Sequence, residues 1–317
     1  MQVTNSPTPP LHPKLLELLA QYRTTRDFQP RDYLDKKLSL LHHYFSKSRL
    51  NTAVLGVSGG IDSAVCLAML VEAKNRGLIE FVYPLALPVF TQGAATGQDS
   101  ATQRGIALCQ AFGIEANVLD LSRLHQEAVK AVDQGLGMKG DLWASGQATA
   151  HCRTLILNYT TSILTAHQKR AVVIGTTNRD EGTYIGYFGK ASDGAVDVQI
   201  ISDIHKSEVY QLAKLFPIPA SIQQVVPTGD MYDGRVDEEV FGTTYDFVEL
   251  YSHTALQPAC LANLSTDAKQ NYLIHKTNLE NMHRYNAHKY SVGSPAIHLD
   301  LYPAGTPGGW PDRIYKS

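Results

Sequence analysis

The stretch SGGIDS, residues 58–63, places two glycines, two serines and an aspartate in one short bend. Residues 52–58, TAVLGVS, are apolar without polar alternation, a pattern typical of a strand buried on both faces of a parallel sheet. Residues 62–77 predict a helix that ends in glycine. A strand, a glycine bend and a helix in this order direct free N–H groups and the positive end of a helix dipole to one point, which predicts an anion-binding site.

The chemistry of the bend favours a pyrophosphate bound together with a cation. The G-x-x-x-x-G-K-[ST] spacing of a Walker A loop is absent, and no lysine follows the glycines. The acid Asp62 would repel a phosphate unless a cation lay between them, so we expect it to bind Mg²⁺. Ser58 and Ser63 can add hydroxyl donors. The alternative is a tight strand-to-helix turn in which serine and aspartate only cap the helix.

Strand and helix patterns alternate through residue 177, which predicts an α/β fold with a doubly wound parallel sheet flanked by helices. Strands are predicted at 52–58, 80–90, 115–121 and 169–177. Helices are predicted at 13–23, 32–48, 62–77, 99–113, 124–135, 144–168 and 202–216, the last of them capped by Ser202. Residues 182–199 and 225–239 predict loops, and the remainder is expected to be helical to about residue 290.

We expect three segments: a tail with a short helix at 1–30, one large domain at 31–290 and a Pro/Gly-rich extension at 291–317. The net charge of −2 over 317 residues gives no general reason to expect binding to nucleic acid or to an anionic membrane. The N-terminus lacks the apolar core of a signal peptide, and no run approaches the roughly 18 apolar residues that span a bilayer. These features predict a cytoplasmic protein.

The cysteines Cys66, Cys109, Cys152 and Cys260 lie far apart and form no C-x-x-C pair. We therefore expect free thiols rather than a zinc or iron–sulfur site.

Three segments carry a resemblance to a known family. SGGIDS at 58–63 resembles the PP-loop of the ATP pyrophosphatases, which cleave ATP to AMP and pyrophosphate while they activate a substrate oxygen. Residues 173–214 and 227–248 closely resemble the middle of NAD synthetases, and the similarity covers roughly residues 30–290. The resemblance implies a Rossmann-like sheet of the PP-loop ATP pyrophosphatase type.

The resemblance also implies roles for single residues. Catalysis would depend on Asp62, Glu181 and Lys206, and Asp62 and Glu181 would bind Mg²⁺. ATP would contact Gly56, Val57, Ser58, Gly59, Gly60, Ile61, Asp62, Ser63, Thr176, Lys206 and Thr228. The deamido-NAD substrate would contact Arg153, Lys190, Asp197, His288 and Lys289. These residue types suit the tasks, because acids bind Mg²⁺, lysine neutralises phosphoryl charge and arginine binds phosphate.

The chain departs from the family pattern in several places. His151 stands where an arginine is expected, and the spacing from Glu181 to Lys190 is one residue longer. The segment 90–103 is longer than the matching family loop, and the segment after residue 290 differs from the family. These departures concern substrate handling or assembly and leave the expected ATP site intact.

The implied reaction is the ATP-dependent amidation of deamido-NAD with ammonia through an acyl-adenylate, which gives NAD, AMP and pyrophosphate. A fused glutaminase would need a domain of its own with a nucleophilic cysteine. The PP-loop begins at residue 58, so we expect an ammonia-dependent enzyme, while a separate glutaminase subunit stays open. Relatives are homodimers, which implies a homodimer here. The alternatives are another ATP pyrophosphatase with a different substrate and a non-catalytic nucleotide-binding relative.

Overall fold

The computed structural model describes residues 9–91, 97–229, 234–290, 297–298 and 301. The strands are β1 Thr52–Gly56, β2 Phe81–Ala86, β3 Asn117–Val118, β4 Ala171–Gly175, β5 Val198–Gln199 and β6 Ile297–His298. They form one sheet in the order β3-β2-β1-β4-β5-β6, and every neighbouring pair is parallel. The predicted doubly wound α/β fold is confirmed.

Helices cover the sheet and form a further layer beside it. They are α1 Pro13–Arg26, α2 Pro30–Lys47, α3 Ile61–Asn75, α4 Gln98–Ala111, α5 Ser122–Leu136, α6 Leu142–Ala166, α7 Lys206–Ala213, α8 Ala220–Gln223, α9 Asp237–Phe241, α10 Tyr245–Thr254 and α11 Thr266–Asn286. A π-helical turn lies at Glu181–Ile185, and 3₁₀ turns lie at Pro258–Leu261 and Ala287–Lys289. No helix in the described part of the chain has both the length and the apolar character needed to cross a bilayer.

The central strand explains the apolar run at 52–58. Ala53, Val54 and Leu55 are completely buried, because helices cover both faces of the sheet. Ala53 and Leu55 pack in the large core with α2, α3 and α7, whereas Val54 packs on the opposite face towards α6. Strand β1 therefore forms the rigid base from which residues 57–61 turn into α3.

A second apolar core joins the N-terminal helix to the C-terminal helices. Leu15, Leu19 and Tyr22 of α1 are buried against a cluster that includes Phe247 of α10 and Leu279 of α11. The segment predicted as a tail with a short helix at 1–30 therefore contains a packed helix that is longer than predicted. The segment boundaries at residues 30 and 290 stay predictions.

The order in which successive strands are added to the sheet reverses between β1 and β4. Strands β2 and β3 lie on one side of β1, whereas β4 and β5 lie on the other. In open parallel sheets the loops at the carboxyl ends of two such strands flank a crevice where ligands bind. The loops after Gly56 and after Gly175 occupy this position.

Several boundaries differ from the sequence predictions. Strand β3 contains only the exposed pair Asn117–Val118 rather than 115–121, and the predicted loop at 182–199 begins with most of the π-helical turn and ends with β5. Helix α7 begins at Lys206 and not near Ser202, and its N-cap is His205. Residues 202–205 precede the helix, and Asp203 among them forms a buried ion pair with Lys37.

The predicted C-terminal extension 291–317 lies mostly outside the described residues. Its described part adds β6 to the sheet edge beside β5. Within the longer 90–103 loop, residues 92–96 also lie outside the described residues.

Candidate active site

The bend at 58–63 depends on glycine at position 59. Gly59 has a φ of +76°, and a Cβ there would collide with the backbone carbonyl of Ala101 and lie 3.1 Å from its Cα. Arg104, on the same helix α4, donates its Nε–H to the Gly59 carbonyl over 2.9 Å. Helix α4 therefore packs directly on the bend, and only glycine fits between them.

The two serines of the bend brace it from inside. The Ser63 hydroxyl donates to the Gly60 carbonyl over 3.0 Å and accepts from the Ser58 amide over 3.2 Å. The Ser58 hydroxyl lies 3.1 Å from the Ser63 hydroxyl. The Gly60 amide donates to the Ser58 hydroxyl over 3.3 Å. Because α3 begins at Ile61, the first free amides of the helix lie beside this closed bend.

The three predicted catalytic residues lie together. The Lys206 ammonium lies 2.6 Å from Oδ2 of Asp62 and 3.1 Å from Oε1 of Glu181. Asp62 lies in the first turn of α3, Glu181 follows β4, and Lys206 is the first residue of α7. The crevice between β1 and β4 therefore brings together groups that are far apart in the sequence.

Burial and neighbouring charges act in opposite directions on the pKa values of Glu181 and Lys206. Burial raises the pKa of Glu181 to about 7, although the Lys206 ammonium lowers it, and Asp62 adds to the rise. Burial also acts to lower the pKa of Lys206, but the carboxylates of Asp62 and Glu181 outweigh it, so this pKa lies above its ordinary value. Lys206 is therefore a fixed positive charge between two acids.

Asn178, which the sequence analysis did not single out, joins the two carboxylates. Its side-chain nitrogen lies 2.9 Å from Oδ1 of Asp62 and 2.8 Å from Oε1 of Glu181. Its Oδ1 accepts from the Glu181 amide over 3.1 Å. Asn178 lies between Thr176 and Glu181 in the sequence GTTNRDE, and a polar residue between two predicted site residues is the signal that could have identified it.

Tyr245 and Asp237 were also missed. The Tyr245 hydroxyl lies 2.8 Å from both Oε1 of Glu181 and Oδ2 of Asp237. Its ring centre is 4.8 Å from the Lys206 ammonium, at the distance of a cation–π contact. Burial raises the pKa of Asp237, against the effect of Lys206. A hydroxyl has one proton, so it donates to one of the two carboxylates at a time.

The carboxylate pair suits a magnesium ion that is shared with a substrate. The described residues contain no group of three or more His, Cys, Asp or Glu arranged to hold a metal by themselves. Mg²⁺ is usually bound by one or two carboxylates together with phosphate oxygens and waters. Asp62 and Glu181 share Lys206 and Asn178 as hydrogen-bond partners, so the two carboxylates face the same part of the crevice.

The remaining predicted ATP residues lie at the ends of β1 and β4 and in the loop before α9. Gly56 ends β1, and Val57 extends the pairing with β2 by donating its amide to the Leu85 carbonyl over 2.8 Å. Thr176 directly follows β4. The Thr228 hydroxyl donates to the Arg235 carbonyl over 2.8 Å, in the loop that leads to α9.

Three of the predicted dinucleotide residues lie around the loop that follows the π-helical turn. Lys190 donates to the His288 carbonyl over 3.2 Å, and Lys289 donates to the Gly186 carbonyl over 2.8 Å. Burial lowers the pKa of Lys289. The late HK pair therefore contacts the segment that carries Lys190.

The other two dinucleotide residues contact different parts of the fold. Arg153, on α6, donates to the Leu87 carbonyl over 3.0 Å and to Oε1 of Gln98 over 2.8 Å. Asp197 accepts the Val173 amide of β4 on Oδ2 over 2.7 Å. The exposed His151 lies one half-turn before Arg153 on α6.

Known proteins share both the sequence pattern and the fold. A sequence model of the NAD synthase family matches residues 33–293. A protein of Alkaliphilus oremlandii described as an NH₃-dependent NAD⁺ synthetase is 27% identical over 267 residues, which are 83% of this chain and 96% of that protein. A protein of Thermoplasma acidophilum with the same description is 33% identical over 193 residues, which are 61% of this chain and 72% of that protein.

A solved structure agrees with this match. The structure of an NMN synthetase from Francisella tularensis has a TM-score of 0.66 and 27% identity to this chain, and the match covers 83% of this chain and 96% of that one. The family match includes both loops of the β1–β4 crevice and all three clustered catalytic candidates. The resemblance carried by residues 58–63, 173–214 and 227–248 is thereby confirmed: the chain belongs to the NAD synthase family.

Proposed function

We propose that this chain is a C–N ligase that amidates deamido-NAD with ammonia at the expense of ATP, giving NAD, AMP and pyrophosphate. The family match and the description of its relatives as NH₃-dependent NAD⁺ synthetases support this function. The structural observation that supports it most is the position of Lys206, Asp62 and Glu181 beside the glycine bend. This arrangement suits the cleavage of a nucleoside triphosphate.

The reaction needs ATP because a carboxylate is a poor acyl donor. An oxygen of the nicotinate carboxylate would attack the α-phosphorus of ATP, and the bond to the β-phosphate oxygen would break to release pyrophosphate. Ammonia would then attack the carbonyl carbon of the acyl-adenylate and lose a proton, and AMP would leave. Much of the catalysis is then positioning and charge stabilisation rather than attack by a protein nucleophile.

The clustered residues have distinct tasks in this proposal. The free amides at the start of α3 and the bend at 58–63 would bind the phosphates. The Lys206 ammonium would stabilise the negative charge that develops on the leaving pyrophosphate. Asp62 and Glu181 would hold Mg²⁺, which supplies charge neutralisation on the phosphate oxygens when it is bound. Asn178 and Tyr245 would keep the two carboxylates in place.

The dinucleotide is assigned to a second set of residues. Lys190, His288 and Lys289 lie together beside the loop after Glu181, and the two lysines offer ammonium groups for the substrate phosphates. Arg153 and Asp197 are proposed as further contacts.

A homodimer is proposed from an exposed apolar face on α6. Leu155, Tyr159 and Ile163 follow one another at four-residue spacing, and 57%, 60% and 44% of their surfaces are exposed. A stripe of this kind is typical of a covered interface. Light scattering should give twice the chain mass for the wild type and a smaller mass for Tyr159→Glu. A cytoplasmic location stays part of the proposal.

A second candidate substrate is nicotinic acid mononucleotide. The solved neighbour from Francisella tularensis is described as an NMN synthetase, and its identity to this chain equals that of the Alkaliphilus relative. Both reactions would amidate a nicotinate carboxylate, so the same ATP site serves either substrate.

The test incubates purified protein with ATP, Mg²⁺ and either deamido-NAD or nicotinic acid mononucleotide, and compares ammonium with glutamine as the nitrogen source. NAD and AMP formed from deamido-NAD with ammonium, but not with glutamine, are the expected result. Turnover restricted to the mononucleotide would favour the second candidate. AMP released without an amide product would contradict both substrates but keep ATP cleavage, and no AMP would contradict the enzyme proposal.

A further inference from the structure

We propose that the N-terminal helix α1 positions the catalytic lysine through a buried chain of hydrogen bonds from Tyr22 through His205 and Asp180. Asp180 and His205 then act as positioning residues for Lys206. The inference deepens the proposed function, because it assigns a role at that site to a helix outside residues 33–293, the part matched by the family model.

Asp180 is the centre of this chain. Its Oδ2 accepts the backbone amide of Lys206 over 2.7 Å, at the first residue of α7. Its Oδ1 lies 2.6 Å from Nδ1 of His205. Asp180 also directly precedes Glu181, so one buried side chain fixes the two backbone segments that present Glu181 and Lys206. The side chains of Asp180 and His205 are completely buried.

His205 transmits the contact to α1. Its Nε2 lies 3.1 Å from the hydroxyl of Tyr22, 183 positions earlier in the chain. The Tyr22 ring is stacked on His253 of α10, with ring centres 4.7 Å apart. The tyrosine is therefore fixed by packing on one side, and its hydroxyl is directed at the histidine.

A second contact from α1 reaches the same turn. Arg26 is ion-paired with Glu208, and it also donates to the Asp203 carbonyl over 3.0 Å. Glu208 in turn accepts the backbone amide of His205 over 2.9 Å. Helix α1 thus contacts Glu208 in the first turn of α7 and both Asp203 and His205 just before it, which restricts where the helix begins.

This arrangement has a specific consequence for catalysis. Loss of the Tyr22 hydroxyl leaves the bend at 58–63 and the group around Lys190 untouched, because Tyr22 contacts neither. It acts on the start of α7 through His205, and it also removes the contact of the hydroxyl with Ser252 of α10. We therefore expect a lower kcat for adenylation with little change in the KM for deamido-NAD.

The experiment compares three full-length variants with the wild type. Tyr22→Phe removes the hydroxyl and keeps the ring stack. His205→Asn places a side-chain amide near the position of Nδ1, so the hydrogen bond to Asp180 is kept. The shorter asparagine side chain does not reach the Tyr22 hydroxyl. The double variant breaks the same link twice. Thr25→Ala, on the exposed face of α1, is the matched control.

Three measurements are made on each protein. They are steady-state NAD formation, deamido-NAD-dependent exchange of pyrophosphate into ATP, and deuterium exchange of residues 202–210 against 56–63. We expect Tyr22→Phe and His205→Asn each to lower kcat and the pyrophosphate exchange by about three- to tenfold, as for one lost hydrogen bond. The KM for deamido-NAD should stay within about twofold of the wild-type value. The double variant should lose no more activity than the more impaired of the two single variants. Deuterium uptake should rise at 202–210 alone.

Opposite results overturn the inference. Unchanged kcat and unchanged deuterium uptake in both single variants would show that α1 does not position Lys206. Multiplicative losses in the double variant would show that the two residues act separately. A wild type without turnover would contradict the proposed function, and the deuterium exchange would still decide whether α1 fixes the start of α7.

Discussion

The side-chain amide of Asn178 donates to Asp62 over 2.9 Å, although the two residues are 116 positions apart. The same nitrogen lies 2.8 Å from Glu181, so one neutral group bonds to both carboxylates. An amide nitrogen carries two protons and can serve both acceptors. Asn178 is completely buried and sets the spacing of the two acids without adding charge.

Asn178→Asp should therefore lower adenylation by about 10- to 100-fold, the range seen when a group that orients metal-binding side chains is lost. The change removes the two amide protons and places a third acid beside Asp62 and Glu181. Deamido-NAD-dependent exchange of pyrophosphate into ATP, measured against Mg²⁺ concentration, reports the loss. Asn75→Asp adds the same charge at the exposed end of α3 and should leave the exchange unchanged. Equal rates in both variants would contradict the proposed role of Asn178.

Sequence patterns predicted the fold because its main determinant is local. The buried run ending at Gly56 followed by SGGIDS specifies strand, bend and helix with short-range signals alone. Strand β3 was overestimated because only Asn117 and Val118 pair in register with β2, at Leu85 and Ala86. Pairing partners are not visible in a single strand pattern.

The site was only partly predictable for the same physical reason. Asp62, Glu181 and Lys206 were identified through the family resemblance, and they do lie together. Asn178 and Tyr245 belong to the site through packing of the π-helical turn against α3 and α10, which no spacing rule encodes. The start of α7 was misplaced because buried hydrogen bonds, rather than a local serine cap, determine it.

Lys206→Met should lower kcat by about 100- to 1,000-fold, the cost of removing a donor that stabilises developing charge. The variant also leaves the acids Asp62, Glu181 and Asp237 without the ammonium that lowers the pKa of two of them. Steady-state NAD formation with saturating ATP and ammonium measures the effect. Lys214→Met, on the exposed end of α7, is the control and should keep wild-type turnover. A similar kcat in both variants would contradict the charge-stabilising role.

Gly59→Ala should destabilise the protein by about 2–5 kcal/mol and abolish ATP binding, because it adds both backbone strain and a collision with Ala101. Gly77→Ala separates the two effects. Gly77 has a similar φ of +72° but no atom within 4 Å of its Cβ position, so its cost should be only about 1–2 kcal/mol with ATP affinity unchanged. Urea denaturation and ATP titration measure both quantities. Equal costs in the two variants would show that the contact with α4 is unimportant.

Lys37→Met should destabilise the protein by about 3–5 kcal/mol, because it leaves the carboxylate of Asp203 buried without its cation. The two side chains are completely buried, and Nζ of Lys37 lies 2.9 Å from Oδ1 of Asp203. The Tyr33 hydroxyl, 2.7 Å from the same oxygen, is neutral and cannot replace the lost charge.

The neighbouring variant Lys36→Met is the matched control. Lys36 pairs with Asp32 on the surface, where 63% of its side chain is exposed, so its loss should change stability by less than about 1 kcal/mol. Urea denaturation of both variants decides the comparison, and equal midpoints would mean that the buried pair contributes no more than the exposed one.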